Sequence, residues 1–270
     1  MYQYNYQNVP VSQKKSKNLL LFVRALTLLI LILFSSVSYA QKIEGTVRYL
    51  KVMNFVKLYA TVDYLSKQTI DKLTYMYANM AEYKSYGNLY INPAQTKYED
   101  SDESAEKDDR EYSYRKSDYM ITRNYEKNTM FDILDLIGKT YIIEDTIHVA
   151  QWKILNEMKE IAGHICMNAF LDDTLRKQKV IGWFALDIQN GGGPERFYGL
   201  PGLILEVNIN NGATVMTADK IELKKLTTEL TLPKKNKGKK IKEVDFDNIL
   251  KKEFAERRKA EQPFFMNVRY

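Results

Sequence analysis

The chain has 270 residues, with 40 Lys and Arg against 34 Asp and Glu, a formal net charge of +6, and one cysteine. A single cysteine excludes an internal disulfide. Four of the basic residues and none of the acidic ones precede Gln41. The rest of the chain therefore carries 36 against 34, and this near balance argues against nucleic acid as a partner.

Residues 1–40 read as an export signal. Lys14, Lys15, Lys17 and Arg24 form a positive region, and Leu26 to Phe34 is apolar apart from Thr27. Ser38 and Ala40 put small side chains at the cleavage positions, which predicts a mature chain starting at Gln41. The apolar run is too short to span a bilayer as a stable helix, so the mature chain is expected to have no transmembrane span and to reside in the periplasm or outside the cell. Residues 41–270 suffice for one β-rich domain with a real core.

Ile43 to Met53 alternates as an opening strand. Ile70, Leu73, Met76, Tyr77 and Met80, spaced three and four apart, predict a helix over about 66–82. Tyr86–Asn92 and Gln95–Glu99 read as a hairpin around Asn92-Pro93. Residues 99–111 are too polar and acidic to bury and read as a solvated loop. Strand signals follow near 112–115, 118–125, 141–147, 151–158, 163–170, 179–188, 203–209 and 213–223. Short links without helices between them imply antiparallel pairing. A basic linker over 232–242 leads to a C-terminal helix over 245–260, with Asp245 as its N-cap and Phe246, Ile249, Leu250 and Phe254 as its apolar stripe. The fold expected is mainly β. It is a long curved antiparallel sheet, with a half-barrel as the form such curvature can reach, and one early and one C-terminal helix.

The most distinctive segment is Gly199-Leu-Pro-Gly-Leu-Ile204. Gly199 begins it, Pro201 presets φ for a type II turn, and Gly202 is expected to supply the positive φ. Leu203, Leu205, Val207 and Ile209 then share one face of a strand. Gly193-Pro194, the aromatic strand Gly182–Ile188, Tyr141–Asp145, Trp152-Lys153-Ile154 and Lys159–Gly163 leading into Cys166 accompany it in order. Together these elements resemble the GLPGLI family of secreted proteins from Gram-negative bacteria, over roughly residues 121–223 and more weakly at 43–53 and in the C-terminal helix. The resemblance implies export and a β-rich fold, and carries no defined biochemical role. The chain departs from the family's pattern at Met167 and Asn168, where basic residues are usual, and in its all-glycine loop Gly191–Gly193.

Enzyme signatures are sparse. There is no Gly-x-Ser-x-Gly elbow and no His-Glu-x-x-His helix, and the glycine loop leads to a strand rather than to a phosphate-holding helix. The leading expectation is a non-enzymatic binding or carrier module without a cofactor. It would hold an apolar or amphipathic ligand, such as a lipid or a segment of an envelope protein. Its cavity would be lined by Trp152, Trp183, Phe184, Phe197 and Leu203. One alternative is a copper or zinc site from His148, His164 and Cys166, which supply nitrogen and sulfur donors. Another is a carboxylate hydrolase near Asp145 and Asp187.

Overall fold

Twelve strands form one open sheet in the computed structural model, which describes residues 24, 43–79, 82–105, 119–233, 237–263 and 269–270. In chain order they are β1 (Gly45–Asn54), β2 (Glu82–Ile91), β3 (Gln95–Asp100), β4 (Met120–Asn124), β5 (Thr129–Leu136), β6 (Lys139–Thr146), β7 (Lys153–Ile161), β8 (His164–Asp173), β9 (Gln178–Ala185), β10 (Leu203–Ile209), β11 (Thr214–Leu223) and β12 (Lys239–Ile241). Among the described residues from 43 onward, three helices accompany them: α1 (Phe55–Ala60), α2 (Lys67–Met76) and α3 (Glu243–Lys259). The spatial order is β12-β6-β5-β4-β3-β2-β1-β11-β10-β9-β8-β7. The sheet is therefore not closed into a barrel, and β12 and β7 are its two edges. All of this belongs to a unit spanning Lys42–Tyr270. A separate unit, Met1–Gln41, holds the expected export signal and lies outside the described residues except for Arg24.

The expected β architecture with early and late helices is present. Its details differ in ways that have local causes. The sheet is mixed rather than wholly antiparallel, because β12 pairs in parallel with β6, with Lys240 opposite Ile142. This strand lies inside the stretch expected to be a basic linker. β5 was not anticipated. Its inward positions run Met130, Asp132, Leu134, and the buried Asp132 breaks the apolar alternation that marks a strand. α1 follows β1 directly, with the Asn54 side chain capping it by accepting from the Lys57 amide. α2 ends at Met76, short of the expected boundary. α3 begins at Glu243, with Asp245 at its third position reaching back to the Lys242 amide in a capping box rather than serving as the N-cap. Glu99 and Asp100 of the expected acidic loop belong to β3. Residues 106–111 and the strand expected at 112–115 lie outside the described residues.

The link from β9 to β10, residues 186–202, is not a surface loop. Residues 192–195 are all buried. Its backbone groups find partners internally: the Gly199 amide donates to the Gly191 carbonyl at 2.7 Å, and the Ile204 amide to the Gly192 carbonyl at 2.9 Å. The Asn190 side chain reaches the Asn92 carbonyl in the β2–β3 turn at 3.0 Å. The Tyr49 hydroxyl donates to the Ile204 carbonyl at 2.6 Å. A buried connector is tolerated only when its polar backbone is satisfied in this way. Gly202 is not in the left-handed region, contrary to the type II turn expected of it; the positive φ falls on Gly199, at 92°. Gly202 is glycine for a steric reason, since a Cβ there would lie 2.0 Å from the Ala185 carbonyl oxygen.

Candidate functional site

The connector carries two adjacent charges, Glu195 and Arg196, in an otherwise apolar and glycine-rich run. They anchor in two separate ion-pair groups. Glu195 is buried and has φ +50°, a conformation that costs a non-glycine residue about 1 kcal/mol. Its carboxylate accepts from Lys51 Nζ of β1 at 2.6 Å, from Arg269 Nε at 3.1 Å, and from the Tyr270 amide at 3.2 Å. Burial alone would raise the Glu195 pKa, but Lys51 and Arg269 outweigh it and hold the carboxyl below the usual range. Burial pulls the Lys51 ammonium below its ordinary value, with Glu195 acting against that pull.

Arg196 anchors on the other side. Its Nε donates to Asp132 Oδ2 at 3.2 Å, and its Nη2 pairs with Glu243 at the start of α3. Asp132 is fully buried and also takes a two-point contact from Arg123 of β4. The Arg123 guanidinium lies 4.5 Å over the Tyr198 ring. Tyr198 in turn donates to the His148 carbonyl at 2.6 Å, and its own carbonyl accepts from Trp152 Nε1 at 3.1 Å. The two anchors tie the connector to β1 on one side and to β4, β5 and α3 on the other. Every carboxylate in them faces a cation. The arrangement is therefore suited to holding the connector in place.

The expected lining residues fall into two packing groups. Phe184 and Phe197 are buried in one cluster with Ile204, Val207 and Tyr270, and Trp152 packs at its border, 6.3 Å from the Phe197 ring. Leu203 is fully buried in the other cluster, and Trp183 packs against that cluster with Lys159 Nζ 4.3 Å over its ring. One open depression of about 400 Å³ is lined by Phe170, Lys179, Ile181, Asn208, Asn210 and Asn211, none of them an expected lining residue. The three soft donors are likewise dispersed. His148 Nδ1 lies 2.9 Å from Glu243, His164 Nδ1 lies 2.7 Å from Asp187, and the buried Cys166 thiol donates to the His164 carbonyl. Among the described residues no group of three His, Cys, Asp or Glu is placed to hold a metal ion. Asp145 is occupied at the α3 entrance, accepting from the Thr146 and Glu243 amides.

Sequence reasoning missed Lys51, Asp132, Glu195, Arg196, Glu243 and Arg269. The signal available was the charged pair Glu195-Arg196 inside a buried run, together with Asp132 at an inward position. No described helix is long and apolar enough to cross a membrane.

A family model described as a protein of unknown function (Porph_ging) matches residues 171–206, from the end of β8 through the connector into β10. The match contains Gly199–Ile204 and both connector charges, and it is compatible with the resemblance drawn from that motif without establishing the name. Two solved structures share the fold. PNGF-II in space group P21 is 13% identical with a TM-score of 0.50, over 77% of this chain and 33% of that one. PNGF-II in space group C2 is 14% identical with a TM-score of 0.50, over 77% and 32%. This chain thus spans about a third of those chains. Comparison with curated proteins gave no match.

Proposed function

We propose that the protein is an exported, non-enzymatic binding module of the cell envelope, and that its ligand is apolar or amphipathic. The observation that carries this reading is an apolar strip at the open β7 edge of the sheet. Ile154 lies opposite Ala169 and Met158 opposite Met167, so these four side chains share one face, and Ile165 alternates onto it. Ile154, Met158 and Ile165 are 51%, 69% and 61% exposed. The strip continues inward to Trp152, which is half-buried, and to Phe184, the neighbour of Met167 across the β8–β9 pair. A contiguous exposed apolar strip beside a half-buried indole suits an acyl chain or the apolar face of an envelope protein segment. Of the residues expected to line a ligand site, Trp152 borders the strip, Phe184 adjoins it beside Met167, and Phe197 packs against Trp152 in the same cluster.

Native mass spectrometry of the protein purified without detergent from its own envelope tests the reading. The expected result is a mature chain starting at Gln41 that carries a lipid or acylated segment. That mass should be lost in the surface variant Met158→Lys/Ile165→Lys. An empty protein, or a bound mass that survives both substitutions, would overturn it.

A further inference from the structure

Arg269 and Tyr270 occupy a cleft whose walls come from distant parts of the chain. Two carboxylates grip the Arg269 guanidinium: Glu195 at 3.1 Å from Nε and Asp100 of β3 at 2.8 Å from Nη1. The Tyr119 ring lies flat against the same guanidinium, with 3.5 Å from its centroid to the central carbon. The backbone of Tyr270 is held at both ends, its amide donating to Glu195 Oε2 at 3.2 Å and its carbonyl accepting from the Tyr119 hydroxyl. Its ring stacks on Phe197 with centroids 4.3 Å apart, and the Arg176 guanidinium covers it at 4.4 Å.

We propose that this cleft is a recognition site for an arginine followed by an aromatic residue, filled in cis by Arg269-Tyr270 and able to take the same pair in trans from another polypeptide. It meets the apolar strip at the β7 edge only through the shared cluster around Phe197. Arginine is specified because two carboxylates from different directions and a flat ring underneath match a planar fork and do not match a lysine ammonium. An aromatic residue is specified because the second position is bounded by a ring on one side and a guanidinium on the other. The occupying pair is neither strand nor helix, so its hold rests on these local contacts and not on sheet pairing. Any peptide with the same two side chains meets the same donors and acceptors. The cis fit is also incomplete. The Nε and Nη2 atoms of Arg176, in the wall over the Tyr270 ring, are buried without a hydrogen-bond partner among the described residues. Buried polar atoms left unpaired weaken an occupant relative to one that brings an acceptor there.

Fluorescence anisotropy with a labelled, end-capped Asn-Val-Arg-Tyr peptide tests the proposal. The full chain carrying Arg269→Ala/Tyr270→Ala should bind it saturably, and about tenfold or more tighter than it binds Asn-Val-Gln-Tyr. The unaltered chain, with its cleft filled, should bind it more weakly than the variant does. Adding Asp100→Asn to the variant should remove the preference for arginine. Equal binding of the two peptides, or no binding by a folded variant, would overturn the proposal. Should the double variant not fold, Arg269→Gln alone is measured in the same way. Failure of that chain to fold would show the pair to be an integral part of the core and would equally count against the proposal.

Discussion

At Gly202 an added methyl group would meet the Ala185 carbonyl oxygen at 2.0 Å, and a backbone atom in a paired strand has no rotamer by which to withdraw. Gly202→Ala should therefore cost about 1–3 kcal/mol, as overpacking does. Gly202→Asn should cost no less, because asparagine's tolerance of positive φ gives no relief where φ is not the constraint. Gly199 is the opposite case. Its φ is +92°, and the atom an added Cβ would crowd belongs to the exposed side chain of Val149. Gly199→Asn should be milder than Gly199→Ala. Urea midpoints of the four variants decide this, and a Gly202→Asn variant clearly more stable than Gly202→Ala would sink the steric account. Cys166 provides a second test. Its thiol is buried, and burial followed by the Asp187 charge pushes its pKa up to about 11. The thiolate is the reactive form, so at neutral pH a thiol reagent should label native protein slowly and unfolded protein quickly. Rapid labelling of native protein would show that β8 does not shield the sulfur.

The connector between β9 and β10 depends on its charges more than on its glycines. Glu195→Ala would leave Lys51 buried without its paired anion and Arg269 with Asp100 alone, and removing one partner of a buried pair typically costs about 3–5 kcal/mol. Removing both charges of the closest pair, as in Glu195→Leu/Lys51→Met, should recover part of that loss. A denaturation double-mutant cycle checks this, and the account fails if the double variant is no more stable than Glu195→Ala. This device was hard to read from the chain. Lys51 and Glu195 are 144 positions apart, and neither has a local pattern that names the other. The hairpin at Asn92-Pro93, the strands from β6 to β11 and the apolar stripe of α3 were legible, because periodicity and turn chemistry are local. β5 was hidden by Asp132, whose inward carboxylate is intelligible only beside Arg123 and Arg196. β12 was hidden because three residues of a lysine-rich stretch gain strand geometry from β6 and not from their own propensity. Of the expected ligand residues, the aromatic ones were correctly recognisable as large and apolar. Which of them would be covered by the connector depended on contacts that no window of sequence contains.

Across the whole molecule, the buried charges and phenols give stability a limit at each end of the pH scale. Backbone donation from Thr146 and Glu243, with Lys242 nearby, holds Asp145 below its ordinary pKa, and Lys51 and Arg269 hold Glu195 down against its burial. A carboxyl depressed in the folded state contributes stability that is present above its unfolded pKa of about 4 and is lost as pH falls through its folded value. Acid should therefore release the connector and the start of α3. At the alkaline end the sign is set by tyrosine. Burial raises Tyr49, Tyr98, Tyr119 and Tyr270 above their ordinary value, with nearby charges making smaller contributions. A phenol raised in the folded state contributes stability that is full below its unfolded pKa of about 10 and falls as pH climbs from there toward the folded value. Tyr119 packs against the Arg269 guanidinium, Tyr270 stacks on Phe197 of the connector, and Tyr49 bonds the connector at Ile204. Ionisation of these four tyrosines should therefore require loss of the fold, not precede it. In a titration above about pH 10, part of the phenolate absorbance should appear together with the collapse of the β signal in circular dichroism. If every tyrosine titrated smoothly near its ordinary value while the sheet signal persisted, the buried phenols would have to be open to water, and the packed connector described above could not stand.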